Sequence, residues 1–439
     1  MKFSNLPLSL TDMSAPVIGI ASRTQTPKGL RLHIGLFGRR NAGKSSLINA
    51  LTNQKIAIVS DVPGTTTDPV EKACELAPIG PVVFIDTAGV DDVGELGGLR
   101  TERSLAVLGW VDVALIVCDA KALTEGELEL IRTVKSTATP TVVVLNKADT
   151  ADAKELIATQ EQVRSLGYEP VTVCASQKLN IDAVREAIVK LAQNAVEPDL
   201  PLLGDLVHPG DTVMLVTPID TGAPKGRMIL PQVQAIREVL DADAKCIVVR
   251  ENRLAETLTN EKEPPAFVVT DSQVVQSVVA QTPKTIPVTT FSIQMAYSKC
   301  DLVEMARGAA MIDFLRPGDK VMICETCSHH PQPDDIGRKK LPRWLAKKVG
   351  GELDIEVVVG KDFPVDLTPY KLILQCGGCV VTRRHMLTRL AQAKRQNIPM
   401  TNYGVAISHL QGVLERALEL HPKALKAFHE AREIFANHF

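Results

Sequence analysis

Between about residues 30 and 195 the chain alternates short, continuous apolar runs with helical stretches. LRLHIGLFG, VVFIDTAG, VALIVCDA, PTVVVLNKAD and PVTVCAS are rich in Val and Ile and close on turn or polar residues, which predicts buried strands. AGKSSLINAL and NIDAVREAIVKLAQNA lie between or after them and predict helices. Strands of this kind separated by helices build a parallel sheet flanked by helices on both faces. The first domain is therefore expected over 30–198.

A stretch dense in Pro and Gly, VEPDLPLLGDLVHPG, then breaks the pattern. A second α/β block is expected over 205–297, with strands in TVMLVTPID, CIVVR and AFVVT and helices in LPQVQAIREVLD and DSQVVQSVVAQ. A third, over 300–439, offers strands in DKVMIC, DIEVVVG and YKLILQ, and helices in PRWLAKKVG and RHMLTRLAQAKRQ. A short PMTNYG and C-terminal helices follow. The expected fold class is α/β, in three domains, each with a largely parallel sheet. There is no fixed-period repeat.

Bulk composition adds limits. Hydrophobic residues make up 45% and charged residues 23% of 439, ordinary for a globular chain. Lys and Arg number 49 against 51 Asp and Glu, so no global basic field draws the chain to nucleic acid or a membrane surface. The N-terminal stretch lacks a signal-peptide pattern, and no run approaches the roughly 20 apolar residues of a membrane span. A cytoplasmic protein is expected. In that reducing compartment nine cysteines point to metal or redox chemistry at some positions rather than to disulfides.

GRRNAGKS, Gly38 to Ser45, fits G-x-x-x-x-G-K-[ST] between a predicted strand and a predicted helix. Backbone N–H groups of such a loop cradle phosphates, a role expected of Gly38, Asn41, Ala42, Gly43 and Ser46. Lys44 reaches the outer phosphates and Ser45 ligates Mg2+. DTAG, Asp86 to Gly89, ends a strand where a carboxylate helps hold hydrated Mg2+. NKAD supplies Asn146, Lys147 and Asp149, and the Asp149 carboxylate can accept from guanine N1–H and the exocyclic amine. Adenine lacks that pair of donors, so ATP would leave polar groups unpaired. CAS, with Ala175 and Ser176, offers a backbone amide to guanine O6. The set implies GTP.

These motifs resemble the GTPase group of the tRNA-modification and Era-like ribosome GTPases. That group's Gly-Thr-Thr-Arg-Asp pattern appears here as GTTTD, Gly64 to Asp68, with Thr67 in the Arg position. The resemblance places Thr65 at the nucleotide and Thr66 on Mg2+, and gives the hydrolytic set Lys44, Thr66, Asp86 and Gly89. It also implies that Asn41 goes with activation by K+, with a mere turn residue as the lesser reading. Val90 follows DTAG, so a Ras-like Gln is absent at that place, and slow, K+-stimulated hydrolysis is expected.

The third block carries CETCSHH, with Cys324 and Cys327, and QCGGC, with Cys376 and Cys379. The cysteines fall at or just beyond strand ends, the edge where open α/β sheets bind ligands. Four-cysteine zinc is the simple reading. However, 48 residues separate the pairs, more than a zinc ribbon spans. A thioredoxin-like pair would leave one pair and two histidines, His329 and His330, unused. A cluster held by three cysteines and another ligand fits, and zinc stays open. Cys324 reads chiefly as a core thiol. Cys74, Cys118, Cys174, Cys246 and Cys300 read as small buried hydrophobes. Arg383 and Arg384 read either as an attraction for an anionic unit or as a solvated helix start.

Cys327-Ser328-His329, 45 residues, then Gln375-Cys376-x-x-Cys379 resembles the FeFe-hydrogenase maturation GTPase (HydF) family, whose motif is Cys-x-His followed by His-Cys-x-x-Cys. TPIDTGAPKGRMILPQVQ, DDIGRKKLPRWL and TNYGVAISHLQGVLERAL look like the same family. The resemblance implies a K+-stimulated GTPase, a middle domain that forms a homodimer, and a 4Fe–4S cluster on Cys327, Cys376 and Cys379. Gln375 stands where the family has His, which leaves His329, Asp334 or Asp335, or an exchangeable group as the fourth ligand. The implied role is a scaffold that assembles or delivers a transient diiron precursor. Its partners would be the radical-SAM maturases HydE and HydG and apo FeFe-hydrogenase. A zinc-stabilised or RNA-associated GTPase of the Era type is the competing reading. The latter would need a basic RNA-binding module, and none is seen.

Overall fold

The computed structural model describes residues 26, 28–52, 70–87, 106–137, 139–194, 200–219, 228–326, 335–360 and 362–437. Three sheets are built along it. The first contains β1 (Leu32–Phe37), β2 (Val70–Leu76), β3 (Gly80–Asp86), β4 (Val113–Asp119), β5 (Thr141–Asn146) and β6 (Val171–Thr172), in the order β2-β3-β1-β4-β5-β6. β4 is buried at every position, as its unbroken apolar run requires. All pairings are parallel except β2 with β3. β2 was not legible in the pattern. It is an edge strand whose VEKACEL mixes charge with small residues, and only Leu76 is buried.

The second sheet joins β7 (Thr212–Val216), β8 (Lys245–Val249), β9 (Phe267–Thr270) and β10 (Val288–Thr290), in the order β10-β9-β7-β8. The third joins β11 (Lys320–Glu325), β12 (Asp354–Val359), β13 (Leu372–Gln375) and β14 (Met400–Asn402), in the order β12-β11-β13-β14. Both are wholly parallel. LPQVQAIREVLD forms the helix Leu230–Asp241, whereas DSQVVQSVVAQ begins as a 3-10 turn before the helix Val275–Gln281.

The second and third sheets share a helix, Phe291–Lys299. Phe291 and Met295 pack with Leu203, Val213 and Phe267, while Ile293, Ala296 and Cys300 join the core of the third sheet. A helix facing cores on both sides must be apolar or internally satisfied all round. Accordingly Gln294, Ser298 and Lys299 are buried with it. Among the described residues no helix is long and apolar enough to cross a membrane.

Candidate functional site

The first sheet's strands β1, β3, β4 and β5 end together, and the motifs stand on those ends. Lys44 opens the helix Lys44–Thr52, and its ammonium donates to the carbonyls of Gly38 and Arg39 at 2.9 and 3.0 Å. Asn41 is left-handed, φ 62°, a conformation Asn tolerates in turns. The geometry thus accounts for Asn41 as a turn residue. Ser45 Oγ donates to Asp86 Oδ2 at 2.6 Å. The second carboxylate oxygen, Oδ1, is buried without a hydrogen-bond partner among the described residues. A hydroxyl against a half-unsatisfied carboxylate at a helix N-terminus is a donor set that suits hydrated Mg2+. Gly64, Thr65, Thr66 and Gly89 lie outside the described residues.

The base side is tied to the phosphate side through Asn146. Its Nδ2 donates to the Ala42 carbonyl at 2.9 Å, and its Oδ1 accepts from the Ala175 amide at 3.0 Å. The Ala175 amide assigned to guanine O6 is therefore engaged by Asn146 here. Asp149 Oδ1 accepts from the Cys174 thiol at 3.0 Å, with Ser176 Oγ 3.2 Å from the same sulfur. Lys147, left-handed at φ 62°, reaches Asp119 Oδ2 at 3.2 Å. Asp119 was missed in the sequence, where it reads only as a strand end. Arg39 also meets it at 3.0 Å. Burial pushes the Asp119 carboxyl up, but the Lys121 N–H and the Lys147 and Arg39 cations outweigh this and hold it below the usual range.

The cysteine edge sits where the third sheet's topology reverses. From β11 the chain crosses to β12 on one side, then returns to β13 on the other, so the carboxyl ends of β11 and β13 border a crevice. Cys376 follows β13, and its amide donates to the Cys324 carbonyl at 2.9 Å. Cys324 itself is a core thiol within β11, fully buried, and burial pushes it up to about 12. Donors converge on the Cys376 sulfur. The Thr326 N–H lies at 3.2 Å and Gln375 Nε2 at 3.5 Å, and the Thr326 hydroxyl shares a hydrogen bond with the sulfur at 3.0 Å in which either group can donate. The Thr326 and Gln375 N–H groups thus both point at the Cys376 sulfur and fix its position. Gly378, φ 67°, turns the chain between the two cysteines, and a Cβ there would meet Met386 Sδ at 2.8 Å. Cys379 is half-buried against the core of the second sheet.

Cys327, His329, His330 and Asp334 lie outside the described residues. Among the described ones, no group of three or more His, Cys, Asp or Glu side chains could hold a metal. The described share of the site is Cys376 with Cys379. Asp335 is committed to capping the turn Ile336–Lys340, accepting from the Arg338 N–H at 2.9 Å. Gln375 is fully buried. Its Oε1 accepts from Arg389 Nη1 at 3.0 Å while Nε2 faces the Cys324 and Cys376 carbonyls and the Cys376 sulfur. Arg383 donates to the Ser298 and Cys300 carbonyls and Arg384 to Thr139 Oγ1, so both anchor their helix to neighbouring elements. Of the remaining thiols, Cys118, Cys174 and Cys300 are buried as expected, while Cys74 and Cys246 are only half-buried.

A strand-loop-helix phosphate cradle with a guanine-type NKAD edge, followed by two parallel α/β domains, defines a multidomain P-loop GTPase. The comparisons agree domain by domain. Residues 33–147 match the model of the 50S ribosome-binding GTPase, 202–300 the hydrogen maturase F dimerization domain, and 303–420 the hydrogen maturase F tetramerization domain. The chain belongs to the hydrogen maturase F (HydF) family.

The GTPase relatives match part of the chain. The tRNA modification GTPase MnmE of Trichormus variabilis is 38% identical over 167 residues, 37% of this chain and 34% of that protein. GTPase Der of Wolinella succinogenes is 34% identical over 172 residues, 37% of this chain and 36% of its own. The chain thus spans about a third of the length of these relatives. Among solved structures, Aquifex aeolicus Era aligns over 52% of this chain and 97% of its own, at 20% identity and a TM-score of 0.32. The G domain of the T. maritima FeoB iron transporter aligns over 37% and 99%, at 23% identity and a TM-score of 0.31.

Proposed function

We propose that the protein is a GTP-hydrolysing scaffold that carries a 4Fe–4S cluster and assembles or delivers the diiron precursor of the FeFe-hydrogenase active site. The observation that carries this reading is one chain joining a P-loop GTPase domain to the two hydrogen maturase F domains, with Cys376 and Cys379 at the third sheet's switch-point crevice. Gly38 to Ser46 would cradle the phosphates, with Lys44 against the outer ones. Ser45, Thr66 and Asp86 would serve Mg2+, Gly89 would border the γ-phosphate, and Asn41 would face K+. Asn146, Lys147, Asp149, Ala175 and Ser176 would hold guanine. Cys327, Cys376 and Cys379 would hold the cluster, with His329 or Asp334 as a fourth ligand. When bound, the cluster offers an iron site for a second metal unit. Thr326 and Gln375 orient Cys376 for it.

Hydrolysis then acts as a conformational switch that gates exchange with HydE, HydG and apo FeFe-hydrogenase in the cytoplasm, with no nucleic acid or membrane partner. Self-association is supported by the dimerization and tetramerization domain matches. An unpaired face is also at hand: β8 is a sheet edge with Val248 exposed, beside exposed Val233 and Leu240. A homodimer through this middle domain follows.

The test is anaerobic reconstitution with iron and sulfide. The expected product shows an iron–sulfur absorption band and, once reduced, an EPR signal. Stoichiometric zinc without either would overturn the reading. Cys376→Ser is expected to abolish the cluster and hydrogenase activation while GTP turnover persists. Equal loss of GTPase activity and fold would favour structural zinc.

A further inference from the structure

Arg389 is the odd charge in the third domain. It stands mid-helix in Arg383–Arg395, a strongly basic segment, yet it is only 3% exposed. All the partners of its guanidinium are neutral. Nη1 donates to Gln375 Oε1 at 3.0 Å, and Nη2 to the Gly360 carbonyl at 2.9 Å and the Asp362 carbonyl at 3.5 Å. The Phe363 ring lies 5.0 Å away. Among the described residues Nε is buried with no hydrogen-bond partner, and the Asp362 carboxylate acts on the guanidinium without a direct contact. A guanidinium stays charged, and burying it without an anion costs several kcal/mol. Among the described residues the fold therefore keeps a buried cation with no direct ion-pair partner, and the Asp362 carboxylate acts on it only at longer range.

The Cys376 sulfur lies two hydrogen bonds from the guanidinium, with Cys324 and the Asp362 carboxylate also acting on it electrostatically. Arg389 donates to one end of the Gln375 carboxamide, and the other end donates to the sulfur. This order fixes the amide's orientation, since only the oxygen can accept from arginine. A cation on the carbonyl end polarises the amide and strengthens its N–H groups as donors.

We infer that Arg389 is a positioning residue for the cluster, acting through Gln375 to hold Cys376 and to offset the negative charge of the thiolate-ligated cluster. The inference rests on the cluster reading above. It explains why Gln can stand where the family pattern has His: the side chain here is a relay within the protein and faces Arg389 rather than iron. A fixed positive charge favours the more negative, reduced cluster, so its loss should make the cluster harder to reduce.

The experiment is an EPR-monitored redox titration of the full-length, anaerobically reconstituted protein, with iron counted in each sample. Arg389→Met is expected to lower the midpoint potential by a tenfold or larger shift in the one-electron equilibrium, about 59 mV. Arg389→Lys keeps the charge and should recover part of that shift. Gln375→Met cuts the relay with Arg389 in place and should also lower the potential; it decides the matter if Arg389→Met does not fold. Equal iron content with an unchanged potential in these variants overturns the role of Arg389 and leaves the cluster reading standing. A wild-type protein without iron–sulfur signals overturns both.

Discussion

At the base site Asn146 and Asp149 act differently. Asn146 never needs to touch the base to matter, because its carboxamide ties the Ala42 carbonyl to the Ala175 amide. Removing it leaves two buried backbone groups unpaired, at about 1–3 kcal/mol each. Asn146→Ala is therefore expected to weaken binding of GTP and GDP alike, by tenfold or more in a fluorescent-nucleotide titration. On the proposed function Asp149 is the discriminator. Asp149→Ala should cost GTP tenfold or more while leaving the weak binding of ATP unchanged, which narrows selectivity in the same titration. A loss equal for both nucleotides would show that Asp149 only holds Cys174 and Gln177.

At the scale of elements, one carboxylate gathers the C-terminal helices. Asp313, at the end of a 3-10 turn, meets His409 Nε2 at 2.9 Å, Lys348 at 2.8 Å and Arg432 at 3.1 Å, from three different helices. Burial raises its pKa, but the His409 hydrogen bond and the Lys348 ammonium outweigh this and press it far below the usual value. The folded pKa lies under the unfolded value of about 3.9. The contribution is thus complete above about pH 4 and lost as pH falls through the folded pKa. Asp313→Asn should destabilise the third domain by about 1.5–3 kcal/mol at pH 7, the scale for hydrogen bonds to a charged group. The gap from wild type should close in acid, read as unfolding temperature against pH. A constant gap down to pH 2 would sink the linkage.

Across the whole molecule, the turn Lys28–Leu30 that leads into the GTPase domain touches the cysteine loop. The Gly29 carbonyl accepts from buried Lys299 at 2.6 Å, and a Cβ on Gly29 would lie 2.6 Å from the Cys379 carbonyl oxygen. Backbone meets backbone there, and β1 leads from this turn directly to the phosphate loop. Gly29→Val must push the two apart. On the proposed cluster reading, faster loss of iron to a chelator with GTP affinity unchanged is the expected outcome; identical iron loss would show that the contact is idle. On the second sheet, Val248→Lys places a charge on the exposed edge β8 and should shift the protein to a smaller species in light scattering.

The long buried strands, the phosphate loop and the NKAD edge were legible because local rules set them. A strand covered on both faces must be continuously apolar, and a phosphate cradle needs its residues at fixed spacing in one loop. The helix Leu230–Asp241 was legible for the same reason. β2, β10 and β14 were not, because a charged edge strand and three-residue strands carry too little periodicity. Nor was the helix Phe291–Lys299, whose two faces serve different cores. The cysteines could be placed at strand ends from sequence, but the reversal between β11 and β13 that opens a crevice beside Cys376 is a property of strand order. Gln375 and Arg389 show the same limit most sharply. Fourteen positions separate them, and RHMLTRLAQAKRQ is strongly basic. Only packing of that helix onto the sheet buries the guanidinium, and burial turns an ordinary basic residue into a charge that needs an anion.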